Sequence, residues 1–173
     1  MVREKILLLV RHAKSSHEIP FLEDKLRPLA PRGKTDSILM GQNLLDLQLV
    51  ADQVYCSSSV RTKSTLAILN QHLNISELAI SYHDDLYIFN DCGDTYLKHL
   101  KGSNNRSDII MILSHNNSCV NVAEAVSDGN LYSFPTCAVM ICRWKISEWS
   151  LVDWSNVNSY SMLTPKQLKS KRL

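Results

Sequence analysis

The stretch Ile6-Leu7-Leu8-Leu9-Val10-Arg11-His12 decides the fold of this 173-residue chain. Its aliphatic run, bounded by charged residues before it and polar residues after it, is typical of a short strand buried on both faces of a parallel sheet. Arg11 and His12 then stand at the carboxyl end of that strand. Ligands of open α/β sheets bind outside the carboxyl ends of the strands, so a guanidinium and an imidazole here indicate an anion such as phosphate.

Two further segments repeat this arrangement. Residues 55–65 (YCSSSVRTKST) contain a strand end, a serine-rich turn able to cap a helix, and Arg61 in the first turns of that helix. A third apolar run, residues 109–113, ends in Ser114-His115-Asn116. The pattern therefore predicts that strand ends bring four side chains to one edge of the sheet: Arg11, His12, Arg61 and His115.

With these blocks the chain resembles the histidine phosphatase superfamily, the phosphoglycerate-mutase-like enzymes. Arg11-His12 matches the Arg-His-Gly signature, residues 57–65 match the Ser-Ser-x-x-Arg-x-x-x-Thr block, and residues 114–116 match the Gly-His-Asn block. Residues 27–33 (RPLAPRG) are similar to the Arg-Pro-Leu-x-x-x-Gly pattern of the short, SixA-like branch of phosphohistidine phosphatases. The resemblance covers roughly residues 5 to 155, although Ala13 and Ser114 stand where the superfamily usually has glycine.

The resemblance implies a three-layer αβα sandwich with a mainly parallel sheet and a C-terminal antiparallel hairpin. It also implies a metal-independent phosphatase without a cofactor. His12 would take the phosphoryl group as the nucleophile, while Arg11, Arg61 and a protonated His115 would stabilise its charge. The favoured substrate is a phosphohistidine-bearing protein, and the alternatives are a small phosphomonoester or a non-catalytic phosphate- or phosphoprotein-binding module on the same fold.

Other side chains are candidates for supporting roles. We expect Arg27, Ser15 and Asn116 to contact phosphate or substrate. A general acid would help an alcohol leaving group, and the candidates are Asp85 and Asp84, with Asp91 and Asp94 less favoured. Phosphohistidine needs little such help, because the conjugate acid of its leaving imidazole has a pKa of about 6.5.

The spacing of the histidines and cysteines does not favour a metal centre. His12 and His115 could be ligands, but no third ligand is paired with them at typical spacing, and Arg11 would repel a cation. The remaining histidines are predicted to be surface residues: His17, His72, His83 and His99. The five cysteines form no C-x-x-C pair, and we expect them to be reduced.

Composition limits the function further. The net charge is only +2, so no overall field favours nucleic acid. No apolar run is long enough to span a bilayer, and the N-terminus has no signal-peptide pattern, so we expect a cytoplasmic protein without membrane partners. The length predicts one domain, residues 1–160, followed by a basic C-terminal tail, residues 161–173, that includes Lys171 and Arg172.

Periodicity and turn residues predict the remaining elements. The helices fall at residues 31–47, 59–73, 95–100 and about 119–126, and further strands fall at residues 53–56 and 79–82. The segments Cys137 to Ile146 and Trp149 to Trp154 alternate like a hairpin around Ser147-Glu148. Strands that alternate with helices favour a parallel sheet covered on both faces.

Overall fold

The computed structural model of the protein describes residues 2–170, in which helices cover both faces of a six-stranded sheet. The strands of this part of the chain are β1 (Arg3–Arg11), β2 (Gln53–Ser57), β3 (Ile80–His83), β4 (Ile109–Ser114), β5 (Val139–Ile146) and β6 (Ser159–Leu163). Its α-helices are α1 (Pro31–Asp46), α2 (Val60–Leu73), α3 (Asp94–Lys101), α4 (Ser118–Val126) and α5 (Pro165–Ser170).

The sheet has the order β3-β2-β4-β1-β5-β6. Strands β1 to β4 are parallel, whereas β5 is antiparallel to β1, and β6 is antiparallel to β5. In β1, Leu8 and Val10 face the core beneath α1 and α2, while Leu7 and Leu9 face the core beneath α3 and α4. All four are fully buried. The mainly parallel three-layer sandwich expected from the sequence is therefore confirmed.

Helices α1 and α2 begin at residues that favour the start of a helix. Pro31 occupies the first turn of α1, where its missing amide hydrogen costs no helical hydrogen bond. Ser59 caps α2, and its side chain accepts a hydrogen bond from the amide of Thr62. This cap fixes the first turn of α2 directly after the carboxyl end of β2.

The second strand of the C-terminal hairpin lies later in the chain than the sequence predicts. Residues 149–154 do not pair with β5; they form two 3-10 turns, Trp149–Leu151 and Trp154–Asn156. Trp149 and Val152 are both fully buried, and their spacing of three residues suits a 3-10 turn rather than a strand. Strand β5 pairs with β1 on one side and with β6 on the other. The antiparallel pairing was therefore predicted correctly, but the second strand of the hairpin was placed at the wrong residues.

Ordered structure continues past residue 160, where the sequence places the end of the domain. Strand β6 extends to Leu163, and α5 buries Leu168 against the core under α1. Lys169 pairs with the buried carboxylate of Asp36 on α1 at 2.6 Å. A single buried leucine in so short a helix leaves little periodicity for a sequence pattern to show. Lys171 and Arg172 of the predicted tail lie outside the described residues.

The five cysteines are free, and four of them are buried. Burial raises the pKa of Cys56, Cys119, Cys137 and Cys142 to about 12, so these thiols act as small apolar side chains. Among residues 2–170, no helix has the length and apolar character needed to cross a membrane.

Candidate active site

The carboxyl ends of β1, β2 and β4 meet at the candidate active site. Strands β1 and β4 are parallel neighbours, with Arg11 opposite Ser114. The amide of His12 donates to the carbonyl of Ser114 at 3.1 Å and so extends the pairing by one residue. His12 and His115 therefore lie side by side, with their ring centroids 5.1 Å apart.

His12 is held as a neutral imidazole. Its Nδ1 lies 2.8 Å from the carbonyl oxygen of Ala13, which can only accept, so Nδ1 carries the proton. Nε2 keeps its lone pair and accepts a hydrogen bond from Nε of Arg61 at 3.2 Å. Burial, aided by the charges of Arg61 and Arg11, lowers the pKa of His12 from 6.5 to about 4. A neutral imidazole that is unprotonated at Nε2 and lies among cationic donors is in the protonation state that a nucleophile requires.

Two neighbouring elements support the loop that follows His12. The hydroxyl of Thr65 accepts from the amide of Ala13 at 3.0 Å and donates to the carbonyl of Arg61 at 2.7 Å. On α1, a Cβ at Gly33 would lie only 2.2 Å from the carbonyl oxygen of Lys14, so only glycine fits there. Thr65 and Gly33 thus both position the loop of residues 13–14 that follows the nucleophile.

Arg61 links the two histidines. It lies in the first turn of α2 and is only 3% exposed. Its Nε donates to Nε2 of His12, and a terminal nitrogen donates to Nδ1 of His115, each at 3.2 Å. Because a guanidinium can only donate, both ring nitrogens that face it are acceptors.

His115 is neutral in the structure, whereas the sequence analysis expected it to be protonated. Its Nδ1 accepts from Arg61, so Nε2 carries the hydrogen and donates to the hydroxyl of Ser57 at 2.9 Å. Burial, followed by the influence of His12 and Arg61, lowers the pKa of His115 to about 2. The buried guanidinium already supplies the positive charge at this point, and a second buried charge beside it would be costly.

Two buried polar atoms at the site have no hydrogen-bond partner among the described residues. A terminal nitrogen of Arg11 donates to the carbonyl of Phe134 at 2.6 Å, but its Nε is unpaired. Oδ1 of Asn116 is also buried and unpaired. Buried polar groups in proteins are nearly always paired, so these two atoms are available to a ligand. Both residues line the cavity described below.

Asp24, which no sequence motif singled out, brings a carboxylate to the same cluster. One of its oxygens accepts from Arg61 at 2.8 Å and from the hydroxyl of Tyr87 at 2.7 Å, and the other accepts from Arg27 at 3.0 Å. Partial burial raises the pKa of Asp24, but the hydrogen bonds from Tyr87, Arg61 and Arg27 outweigh it and hold the pKa well below its usual range. The one sequence signal was its position three residues before Arg27.

These residues surround a cavity of about 260 Å³ at the carboxyl edge of the sheet. Its lining includes Arg11, His12, Ser15, Asp24, Arg27, Arg61, Phe89 and Asn116. A larger depression of about 400 Å³ lies near the amino ends of β2 and β3, where no arginine, lysine or histidine lines it. Anion chemistry therefore belongs to the smaller cavity.

The fold matches that of known phosphatases. A solved structure described as the protein histidine phosphatase SixA complexed with tungstate superposes with a TM-score of 0.75 at 19% identity, over 94% of this chain and 99% of that one. The chain has the histidine phosphatase fold. The native mycobacterial glucosyl-3-phosphoglycerate phosphatase Rv2419c shares it with a TM-score of 0.59 at 11% identity, over 94% of this chain and 98% of that one.

A sequence relative is also known. The uncharacterised Mycobacterium leprae protein ML1117 is 32% identical over 121 residues, which cover 68% of this chain and 71% of that protein. The chain belongs to the same family as ML1117. No protein-family model matches the sequence.

On this histidine phosphatase fold, Arg27 and Ser15 form one side of the cavity. A terminal nitrogen of Arg27 donates to the hydroxyl of Ser15 at 2.9 Å, and its Nε donates to the carbonyl of Ser16 at 3.1 Å. The same guanidinium contacts the ring of His17, which also lines the cavity. The structure thus brings Arg27, Ser15 and Asn116 to the cavity, where the sequence analysis placed them.

The carboxylates expected as general acids point elsewhere. Asp84 pairs with Lys25 at 2.6 Å, and Asp85 accepts from His99 at 3.1 Å. Asp91 accepts hydrogen bonds from backbone amides at the start of α3. Within residues 2–170, the carboxylate that touches the arginine and histidine cluster is that of Asp24. Sequence proximity could not show this, because Asp24 reaches the site from a segment without regular repeats.

Proposed function

We propose that this protein is a histidine phosphatase that transfers a phosphoryl group to His12 and then to water, and that its substrate is a phosphohistidine-bearing protein. The observation that supports this most directly is the state of His12. Its Nδ1 donates to the carbonyl of Ala13, so Nε2 carries the lone pair; this lone pair accepts from Arg61, and His12 and Arg61 both line the cavity. The imidazole, the two arginines and His115 are the groups that phosphoryl transfer needs.

The reaction has two displacement steps. Nε2 of His12 forms a bond to phosphorus while the bond to the leaving group breaks, and the leaving atom keeps the electron pair. Water then attacks phosphorus, the bond to Nε2 breaks, and phosphate is released. For the first step Arg61 must give up its hydrogen bond to Nε2 and donate to a phosphoryl oxygen instead, which its fork of donors permits.

Asp24 favours phosphohistidine over an alkyl phosphate as the substrate. The pKa of Asp24 lies well below its usual range, since Tyr87, Arg61 and Arg27 all donate to its carboxylate. An ionised carboxylate cannot protonate a departing alkoxide. A phosphohistidine ring that is protonated on its other nitrogen departs as neutral imidazole, whose conjugate acid has a pKa of about 6.5, and needs no such help.

The surroundings of the cavity favour a macromolecular substrate. Phe89 lines the cavity and is 42% exposed. Ile19 and Phe21, in the segment between the lining residues His17 and Asp24, are also exposed. Exposed aromatic and aliphatic side chains beside a charged cavity are suited to contact with a protein surface.

The proposal is tested by measuring phosphate release and by trapping the phosphoenzyme. Wild type should release phosphate from a histidine-phosphorylated peptide and from an aryl phosphate. Rapid quenching should capture a phosphoenzyme that is stable to alkali and labile to acid. His12→Ala should abolish both signals, while His72→Ala, which removes an imidazole of α2 outside the cavity, should retain them.

Two outcomes would favour the other functions. Rapid turnover of alkyl phosphates, with a rate that does not depend on the leaving-group pKa, would favour a phosphatase of small phosphomonoesters. Tight phosphate or phosphopeptide binding without release of phosphate from any substrate would favour a non-catalytic binding module. Full activity of His12→Ala would exclude the proposed mechanism.

A further inference from the structure

Three side chains next to the active site form a second cluster with a different chemistry. His83 ends β3, Asp85 lies in the 3-10 turn that follows it, and His99 lies on α3. The potential ligand atoms of these side chains all lie within 4.8 Å of one another. Both histidines are predicted from the sequence to be surface residues, but they lie half-buried against the ring of Tyr55.

The ligand atoms of the cluster are already close to the separations that a bound metal ion requires. Nε2 of His99 lies 3.1 Å from a carboxylate oxygen of Asp85, and the ring centroids of His83 and His99 are 4.6 Å apart. The side chain of His99 is only 11% exposed. A tetrahedral zinc site with nitrogen ligands at about 2.0–2.1 Å needs ligand atoms about 3.3 Å apart, so small side-chain rotations suffice.

Ser81 determines which ring nitrogen of His83 carries the proton and which keeps its lone pair. The hydroxyl of Ser81 donates its hydrogen to the carbonyl of Val54 at 3.2 Å. Nε2 of His83 lies 2.8 Å from that hydroxyl oxygen and must therefore donate to it. Nδ1 of His83 is left with its lone pair. A histidine that donates from one ring nitrogen to a fixed acceptor and keeps the other free is typical of metal ligands.

We infer that His83, Asp85 and His99 bind a divalent transition-metal cation of the zinc type, in a site separate from the phosphoryl site. Two imidazoles and one carboxylate suit Zn²⁺, whereas Mg²⁺ and Ca²⁺ prefer oxygen ligands throughout. The cation would replace Lys98, an exposed side chain whose Nζ lies 3.8 Å from Asp85.

The site would couple to the active site through a short piece of backbone. The turn that carries Asp85 continues directly into Tyr87, whose hydroxyl donates to Asp24 at 2.7 Å. His83 is also the register partner of Ser57, which accepts from His115. A bound cation would therefore fix the turn that positions Tyr87 without touching the reacting atoms.

The experiment is a calorimetric titration of Zn²⁺ into full-length protein stripped with chelator and dialysed, with Mg²⁺ in a parallel titration. Wild type should bind one Zn²⁺ with a Kd of about 1 μM or tighter and show no saturable heat with Mg²⁺. His99→Ala and Asp85→Asn should each weaken Zn²⁺ binding by about tenfold or more, which is on the scale of losing a metal-site partner. His72→Ala should bind as wild type does.

A second measurement separates loss of the site from loss of the fold. His83→Gln keeps a polar side chain at the position, and its far-UV circular dichroism and Tm in chelator should match those of wild type. Wild type loaded with Co²⁺ should show the visible bands of a tetrahedral site, and His83→Gln should not. The inference is overturned if Zn²⁺ does not saturate, if the cluster variants bind as wild type does, or if His12→Ala removes binding instead.

Discussion

Mild acid should destabilise this protein through the two buried imidazoles of its active site. Burial holds the pKa of His12 at about 4 and that of His115 at about 2, both below the ordinary value of 6.5. As the pH falls below 6.5, the unfolded chain gains these protons while the folded protein does not. The stability that depends on the neutral rings is therefore fully present above about pH 6.5, and for His12 it is lost progressively down to about pH 4.

The magnitude follows from the width of that interval. Each pKa unit corresponds to about 1.36 kcal/mol, and pH 5 lies about 1.5 units below the unfolded-state value. Each ring should therefore lower the free energy of unfolding by about 2 kcal/mol between pH 7.5 and pH 5, and the two rings by about 4 kcal/mol. A typical domain has a total stability of about 5–15 kcal/mol, so the loss is large enough to measure easily.

The assay is urea unfolding followed by far-UV circular dichroism at both pH values, in buffers without phosphate. Each protein is compared with itself, so effects of a substitution on stability at pH 7.5 cancel. The loss on going to pH 5 should be about 2 kcal/mol smaller in His12→Gln than in wild type, and smaller again in the double variant with His115→Gln. A loss in His12→Gln within about 0.5 kcal/mol of that of wild type would show that the neutral ring of His12 does not contribute this stability.

Other predictions concern the cationic cluster and its support. Arg61→Ala should lower kcat/KM by about 10²–10³-fold, the scale of losing a donor to transition-state charge, as steady-state kinetics with an aryl phosphate would show. Asp24→Asn should make inorganic phosphate about a tenfold stronger competitive inhibitor, because an ionised carboxylate no longer competes for Arg61 and Arg27; an unchanged Ki would contradict this. Saturating chelator should leave the phosphatase active, because a cation at His83, Asp85 and His99 would not touch the reacting atoms; a rate that vanishes and returns with Zn²⁺ would contradict a metal-independent mechanism. Gly33→Ala should lower the free energy of unfolding by about 1–3 kcal/mol, measured by urea unfolding, because the new Cβ would meet the carbonyl of Lys14.

The sequence alone determined the central sheet and the placement of the main cationic residues. The run of residues 6–10 is apolar at every position, so it had to lie between two covered faces, and in the structure it does. Because parallel strands end at a common edge, the side chains at the end of β1 (Arg11, His12) had to converge with those that follow β2 (Arg61) and β4 (His115). These inferences need only local patterns and one rule about sheets.

Tertiary structure decided what local patterns do not encode. Asp24 and Asp85 are both acidic residues in irregular segments, yet the first meets Arg61 and the second meets His99. Their partners lie 37 and 14 residues away in the chain, and helix or strand periodicity does not indicate contacts over such separations. The position of β6 was also hidden, because the segment before it resembles a strand in its composition. Its buried residues Trp149 and Val152 are three positions apart, which is not the spacing of a strand.

The charge states at the site likewise depended on the folded structure. The residue types suggested a protonated His115, since a cation suits a phosphate. Only the packed structure showed that Arg61 already fills this role and donates to the ring of His115. Burial makes a second positive charge costly at that point, so the ring that was predicted to be a charged donor is neutral and accepts from Arg61 at Nδ1. Sequence patterns therefore identified the arginines and histidines that meet at the edge of the sheet, whereas packing determined their protonation, their pairing and the presence of Asp24.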